Sequence, residues 1–186
     1  MKKFIFIIFA ISLVSCQQKQ ERIIETIQVL YYNGLFWSVV DVGCDEIVFD
    51  PMKIPVQEPE YTEDGYELPR DLCILDTIIT DKKVLQEIAS ELKLVKKSKD
   101  YGVDARMKCF IKYTDGDIDS LCLTAPTTYG YFNEKPMLFT NKFAYLIREN
   151  CGFYKWMGCG QMEYFDELND TTFVGEKVIS ISGEEY

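Results

Sequence analysis

Apolar and polar positions along the chain predict alternating strands and helices. Residues Ile23–Tyr32 and Leu35–Val42 are rich in β-branched and aromatic side chains, and Asn33-Gly34 between them is a two-residue hairpin signal. A stretch dense in turn formers and acids follows, "DPMKIPVQEPEYTEDGYELPR" at 50–70, with four prolines. It reads as a long loop or insertion. "LCILDTIIT", 72–80, is an apolar strand. Asp81 then caps a helix through about Val95, in which Val84, Leu85, Ile88, Ala89, Leu92 and Val95 form one stripe. Lys82, Lys83, Glu87, Glu91 and Lys93 fall largely on the wet side. Two strands follow at about 104–113 and 117–124, then a short one in "TTYGYF", 127–132. A second helix is expected from about Asn141 to Asn150, with Phe143, Leu146 and Ile147 inward and Gly152 near its C-cap. From Gly160 the chain turns acidic, and "EKVISIS", 176–182, is either a last strand or loose. No internal repeat is present. The expected fold class is α+β: an antiparallel sheet with two helices packed on it, in one small domain over 23–186.

The hairpin at 104–124 makes a sharper statement. Asp115-Gly116 suits a type I′ turn, which needs φ > 0 at both central residues. With those two residues as the loop, Thr114 faces Asp117, Lys112 faces Asp119 and Cys109 faces Cys122. The last is a non-hydrogen-bonded pair, where Cα atoms stand about 4.5 Å apart. That lies just inside the range of roughly 4.4–6.8 Å that a disulfide tolerates. The competing expectation is two reduced, buried core cysteines.

The N-terminus bears on which holds. Met1-Lys2-Lys3 is a short cationic region, and "FIFIIFAISLV", Phe4–Val14, is almost unbroken apolar sequence. It is too short to span a bilayer as a helix, which takes about 20 residues, and reads as a secretory signal. Leu13-Val14-Ser15-Cys16 resembles the lipobox of bacterial lipoproteins. The resemblance covers about sixteen residues and implies lipid transfer to the Cys16 thiol, cleavage between Ser15 and Cys16, and acylation, typically with palmitate, of the new amino group. Residues 1–15 are then the signal peptide, 16–22 a polar tether, and the membrane the first partner, held through acyl chains on Cys16. Gln17 follows the cysteine and no acid occurs until Glu21. In the lipoproteins that this N-terminus resembles, an Asp directly after the cysteine is an inner-membrane retention mark, and in Bacteroidetes-type lipoproteins an acidic run there is a surface-display mark. Neither is present, so the expected location is the outer membrane, facing the periplasm.

Export changes the meaning of the seven cysteines. Without Cys16, six remain, and an even number in an oxidising compartment favours disulfides. Cys109–Cys122 is the pair expected from the hairpin. Cys151 and Cys159 bracket "GFYKWMG" and would close a small loop, leaving Cys44–Cys73 by elimination. No metal site is expected, because there is no CxxC and no histidine to complete a zinc set.

Charge narrows the partners. The formal charge is −10, and −12 once Lys2 and Lys3 leave with the signal. Such a chain is a poor ligand for nucleic acid or for anionic lipid. Attachment should come from acyl chains and not from a basic patch, since several chains anchor stably where one is marginal.

Candidate chemistry is sparse. Without histidine the commonest general base and the Ser–His and Cys–His nucleophile pairs are gone. Asp115, Asp117 and Asp119 stand at alternate positions, but a calcium loop of the EF-hand kind places its glycine sixth and a glutamate twelfth, so turn chemistry is the expectation. The acids Glu58, Glu60, Glu63, Asp64, Glu67 and Asp71 show no spacing that singles out a glycosidase-like pair. Phe153, Tyr154 and Trp156, with Tyr164 and Phe165 nearby, form an aromatic cluster suited either to recognition or to closing a core. A redox pair at Cys151/Cys159 would want closer thiols. The reading is a lipid-anchored envelope protein, not an enzyme and without cofactor, that binds an envelope protein, peptide or glycan. The alternatives are a carboxylate-dependent envelope enzyme and an inhibitor or immunity-type protein.

Overall fold

A computed structural model describes residues 22–33, 41–51, 73–170 and 172–173. The elements run β1 Ile24–Tyr32, a 3₁₀ turn Cys44–Glu46, β2 Ile74–Ile79, α1 Lys82–Leu92, β3 Lys96–Lys97, β4 Ala105–Tyr113, β5 Ile118–Thr124, β6 Tyr129–Phe132, β7 Lys135–Leu138, α2 Asn141–Cys151, a 3₁₀ turn Phe153–Trp156 and α3 Cys159–Met162. Seven strands form one sheet in the order β2-β1-β4-β5-β6-β7-β3, with every neighbouring pair antiparallel. The two longer helices pack on one face, so the fold is α+β, one small domain.

The helices start where local chemistry starts them. The Asp81 carboxylate accepts from the Val84 N–H, and the Thr140 hydroxyl accepts from the Phe143 N–H, each satisfying an otherwise orphaned donor. Helix α1 ends at Leu92, three residues before the expected end, because Lys93 and Leu94 turn the chain towards β3. Leu85 and Ile88 are buried, as are Phe143, Leu146 and Ile147 of α2. They meet Ile27, Val29 and Tyr31 of β1, Met107, Cys109 and Ile111 of β4, and Leu121 and Leu123 of β5.

The opposite face carries a smaller core of Leu30, Ile47, Ala105 and Cys122. Residues 41–51 cover part of it. The Ala105 N–H donates to the Val42 carbonyl at 2.7 Å, and the Asp104 carboxylate accepts from the Val42 N–H at 2.9 Å. Both edges of β1 are filled, by β2 and β4, so β1 has no room for a hairpin partner at Leu35–Val42. Asn33 instead continues the β1/β2 pairing, exchanging bonds with the Cys73 backbone. Residues 34–40 and the strand expected at 176–182 lie outside the described residues, as does nearly all of the acidic Pro-rich stretch.

The β4/β5 hairpin differs from expectation by one residue. Lys112 pairs with Ile118, Cys109 with Leu121 and Lys108 with Cys122. The Gly116 N–H bonds to the Tyr113 carbonyl, the Tyr113 N–H to the Asp117 carbonyl, and Gly116 has φ +91°. The loop is therefore three residues, Thr114-Asp115-Gly116: a type I turn followed by a left-handed glycine. A one-residue change reverses a strand's faces. The two-residue loop would have put Ser120 and Cys122 in the main core, whereas the observed loop puts Leu121 and Leu123 there. Burying a leucine side chain is worth about 1.5–3 kcal/mol, so the hydrophobic pattern outweighs the dipeptide signal.

Two turn residues explain a strand that the pattern did not predict. Asn133 and Glu134 both have positive φ, 46° and 64°, and join β6 to β7 as a two-residue hairpin. The Asn133 side chain offsets the cost, accepting from the Ser120 N–H and donating to Asp119. Gly130 is required where β6 meets β5: a Cβ there would lie 2.0 Å from the Cys122 carbonyl oxygen.

Candidate functional site

The expected disulfides are corrected by this register. Cys109 points into the main core and Cys122 into the opposite one, so the two cannot bond. Cys122 is bonded instead to Cys44, across a Cα separation of 6.0 Å. That excludes Cys44–Cys73, and Cys73 is buried outside any disulfide. Cys151 is free and buried, at the end of α2, which rules out a Cys151–Cys159 loop. Burial pushes the Cys151 thiol up to about 12 and Cys109 well above the usual thiol range, so neither is a ready nucleophile. Cys16 lies outside the described residues.

The aromatic cluster is corrected as well. Phe153, Tyr154 and Phe165 are fully buried and meet edge to face, with centroids 5.5–6.0 Å apart. They close the core over α2 and present no ring face to a ligand. Trp156 is half-buried against the same core, and only Tyr164, 58% exposed, stands clear. Beneath them lies a buried ion pair. Arg148 donates to Glu167 and to the carbonyls of Thr124 and Thr127, while the Tyr154 hydroxyl donates to the same Glu167 oxygen at 2.7 Å. Burial holds the Tyr154 phenol well above its ordinary range, with the Glu167 charge as the next cause. The arrangement pins α2 to the segment after α3 and to the β5–β6 loop.

The carboxylates of the hairpin turn also have a structural use. Asp115, Asp117 and Asp119 surround the Arg22 guanidinium at 3.6, 3.3 and 3.0 Å. Arg22 sits 3.6 Å over the Tyr113 ring, and the Tyr113 hydroxyl donates to Asp119. These acids clamp the start of the domain. Among the described residues, no group of three His, Cys, Asp or Glu is placed to hold a metal ion.

Among the described residues two concave surfaces stand out. One is a groove of about 660 Å³ between α1 and the start of β1, with Ile23, Ile24, Leu85 and Ala89 along it and Arg22, Lys82 and Lys93 at its rim. The other, about 310 Å³, lies on the outer sheet face around the disulfide, lined by Cys44, Asp45, Val103, Lys108, Tyr131 and Glu134. It continues into three tyrosines. Tyr129 stands 6.1 Å from Tyr131 and 5.7 Å from Tyr101, ring centre to centre. The Tyr131 hydroxyl donates to Asp100, which also accepts from the Gly102 N–H. This bonding lowers the Asp100 carboxyl and raises the Tyr131 phenol. The pocket therefore offers the Tyr131 ring, the carboxylates of Asp45 and Glu134 and one lysine, with Asp100 and the other two tyrosines beyond it, at the lower end of the size range for small-ligand sites. Of its lining, Tyr131 belongs to the "TTYGYF" strand, but nothing in the sequence marks it, because Asp45, Lys108 and Glu134 come from three distant segments.

No family profile, no curated protein and no solved structure matches the chain.

Proposed function

We propose that this chain is a bacterial envelope lipoprotein, anchored through acyl chains on Cys16 in the outer membrane and facing the periplasm. Its α+β domain acts as a non-catalytic binding module. The observation that carries the reading is Leu13-Val14-Ser15-Cys16 directly after a cationic start and an apolar run. The Cys44–Cys122 bond supports it, since disulfides persist in oxidising compartments. The outer-face pocket at Tyr131 and Lys108 is the preferred contact surface for an envelope protein, peptide or glycan. It has the mixed aromatic and polar lining that such contacts use.

Membrane fractionation tests the anchor. Cys16→Ala should move the protein to the soluble fraction. Retention of that variant in membranes after salt and carbonate washes would refute the lipobox reading. For the contact surface, Tyr131→Ala with Lys108→Ala should abolish co-purification of the envelope partner, while Lys155→Ala leaves it intact.

A further inference from the structure

Net charge averages over faces, and here the faces differ. Residues Lys93-Leu94-Val95-Lys96-Lys97-Ser98-Lys99 hold four lysines and no acid. They leave the end of α1 and form β3, the outermost strand of the sheet. All four lysines are exposed, and Leu94 is 56% exposed between them. Pairing sets the exposed Leu138 against Lys96, and Lys135, also exposed, begins the same strand β7. Lys93 lines the same groove as Arg22 and Ile23, the latter 65% exposed. The basic edge therefore begins beside the point where the N-terminal tether joins the domain.

We propose that this edge docks on an anionic phospholipid surface, so that the domain sits on the bilayer in one orientation. The proposal rests on the reading of Cys16 as the anchor. From Cys16 to Arg22 the chain advances six residues, an extended reach of about 20 Å. The tether therefore keeps the edge at the surface at high effective concentration. Each lysine at an anionic surface contributes roughly a five-fold gain in partitioning. Exposed Leu94, Leu138 and Ile23 can enter the headgroup layer between them. Of the two acids that flank this segment in the chain, Glu91 is paired with Lys142 and bonded by Thr140, while Asp100 keeps its charge, one acid against four lysines. The acidic remainder of the chain is screened beyond a Debye length of about 8 Å at physiological salt. Lysines on an edge strand also discourage strand addition, but that role is indifferent to the lipid present.

The test compares lipidated full-length protein in vesicles of phosphatidylcholine alone and of phosphatidylcholine with phosphatidylglycerol. Acetylation of individual lysines is followed by mass spectrometry. Lys93, Lys96, Lys97 and Lys99 should react several-fold more slowly on the anionic vesicles, with Lys155 unchanged. Equal rates on both vesicles, or equal slowing at Lys155, would overturn the proposal. Separately, the soluble Cys16→Ala protein should float with anionic vesicles, and Lys96→Gln with Lys97→Gln should cut that binding roughly 25-fold. Binding that ignores these substitutions, or retention on heparin with no vesicle binding, would also overturn it. An intact mass without acyl groups would refute the anchor alone, and the flotation result would still decide the edge.

Discussion

Replacing Cys44 by serine removes the cross-link with little else, because Cys44 is only half-buried while Cys122 is buried in the smaller core. The bond joins residues 78 apart. On the chain-entropy account, closing a loop of that size stabilises the fold by about 4.5 kcal/mol at 25 °C, against about 3 for a bond spanning some fifteen residues such as Cys109–Cys122. Engineered and native bonds often give less, so a loss of about 3–4.5 kcal/mol is expected for Cys44→Ser. For a domain of this size that lowers Tm by about 10–15 °C. Cys122→Ser should cost somewhat more, because a buried hydroxyl without a partner adds about 1–3 kcal/mol. The double variant should match Cys122→Ser alone, since the two residues act through one bond. Urea denaturation of oxidised and reduced protein measures this, with reduced wild type falling close to oxidised Cys44→Ser. Cys109→Ser must leave the bond intact on peptide mapping. A Cys44→Ser loss below about 1 kcal/mol, additive single effects, or a mapped peptide joining Cys109 to any other cysteine would refute the pairing and the register behind it.

Two further perturbations probe the core. Glu167→Ala leaves the fully buried Arg148 charge uncompensated and should cost about 3–5 kcal/mol, whereas Arg148→Met combined with Glu167→Leu should recover much of that loss. A double variant as unstable as Glu167→Ala would show that the charge is not the cause. Alkaline pH should destabilise the protein through groups whose folded values are raised. Burial lifts Cys151 to about 12 and raises Tyr31 and Tyr154 above the ordinary phenol range. Their stabilisation is fully present below the unfolded values of about 8.5 for thiol and 10 for phenol, and it declines as pH rises towards the folded values. Tyrosinate absorbance should therefore show exposed phenols ionising first and the buried ones only as circular dichroism reports unfolding. A single smooth titration of every phenol with the fold intact would refute the burial.

Much of the architecture was legible because it is decided within a few residues. Asp81 and Thr140 begin helices through their own side chains, Gly152 ends one, and the apolar stripes of α1 and α2 name their buried faces. Strands β1, β2, β4, β5 and β6 fall within a residue or two of their expected bounds, because apolar and β-branched runs mark half-buried strands whatever they pair with. What failed depended on residues far apart. The loop at Asp115-Gly116 was read from its dipeptide, yet its length was chosen by Leu121 and Leu123 against the helices, and that choice moved Cys122 to the other face. Once it moved, the partner of Cys122 came from 78 residues away, where spacing carries no signal. Phe153 and Tyr154 suited either recognition or a core as far as the sequence went. The Arg148–Glu167 pair beneath them and α2 behind them make them core. The lysines of 93–99 were averaged into an acidic total until the sheet order placed β3 at its edge. Local propensity and capping act through the chain's own neighbourhood, whereas register, disulfide partners and charged faces are fixed only when distant segments compete for the same core.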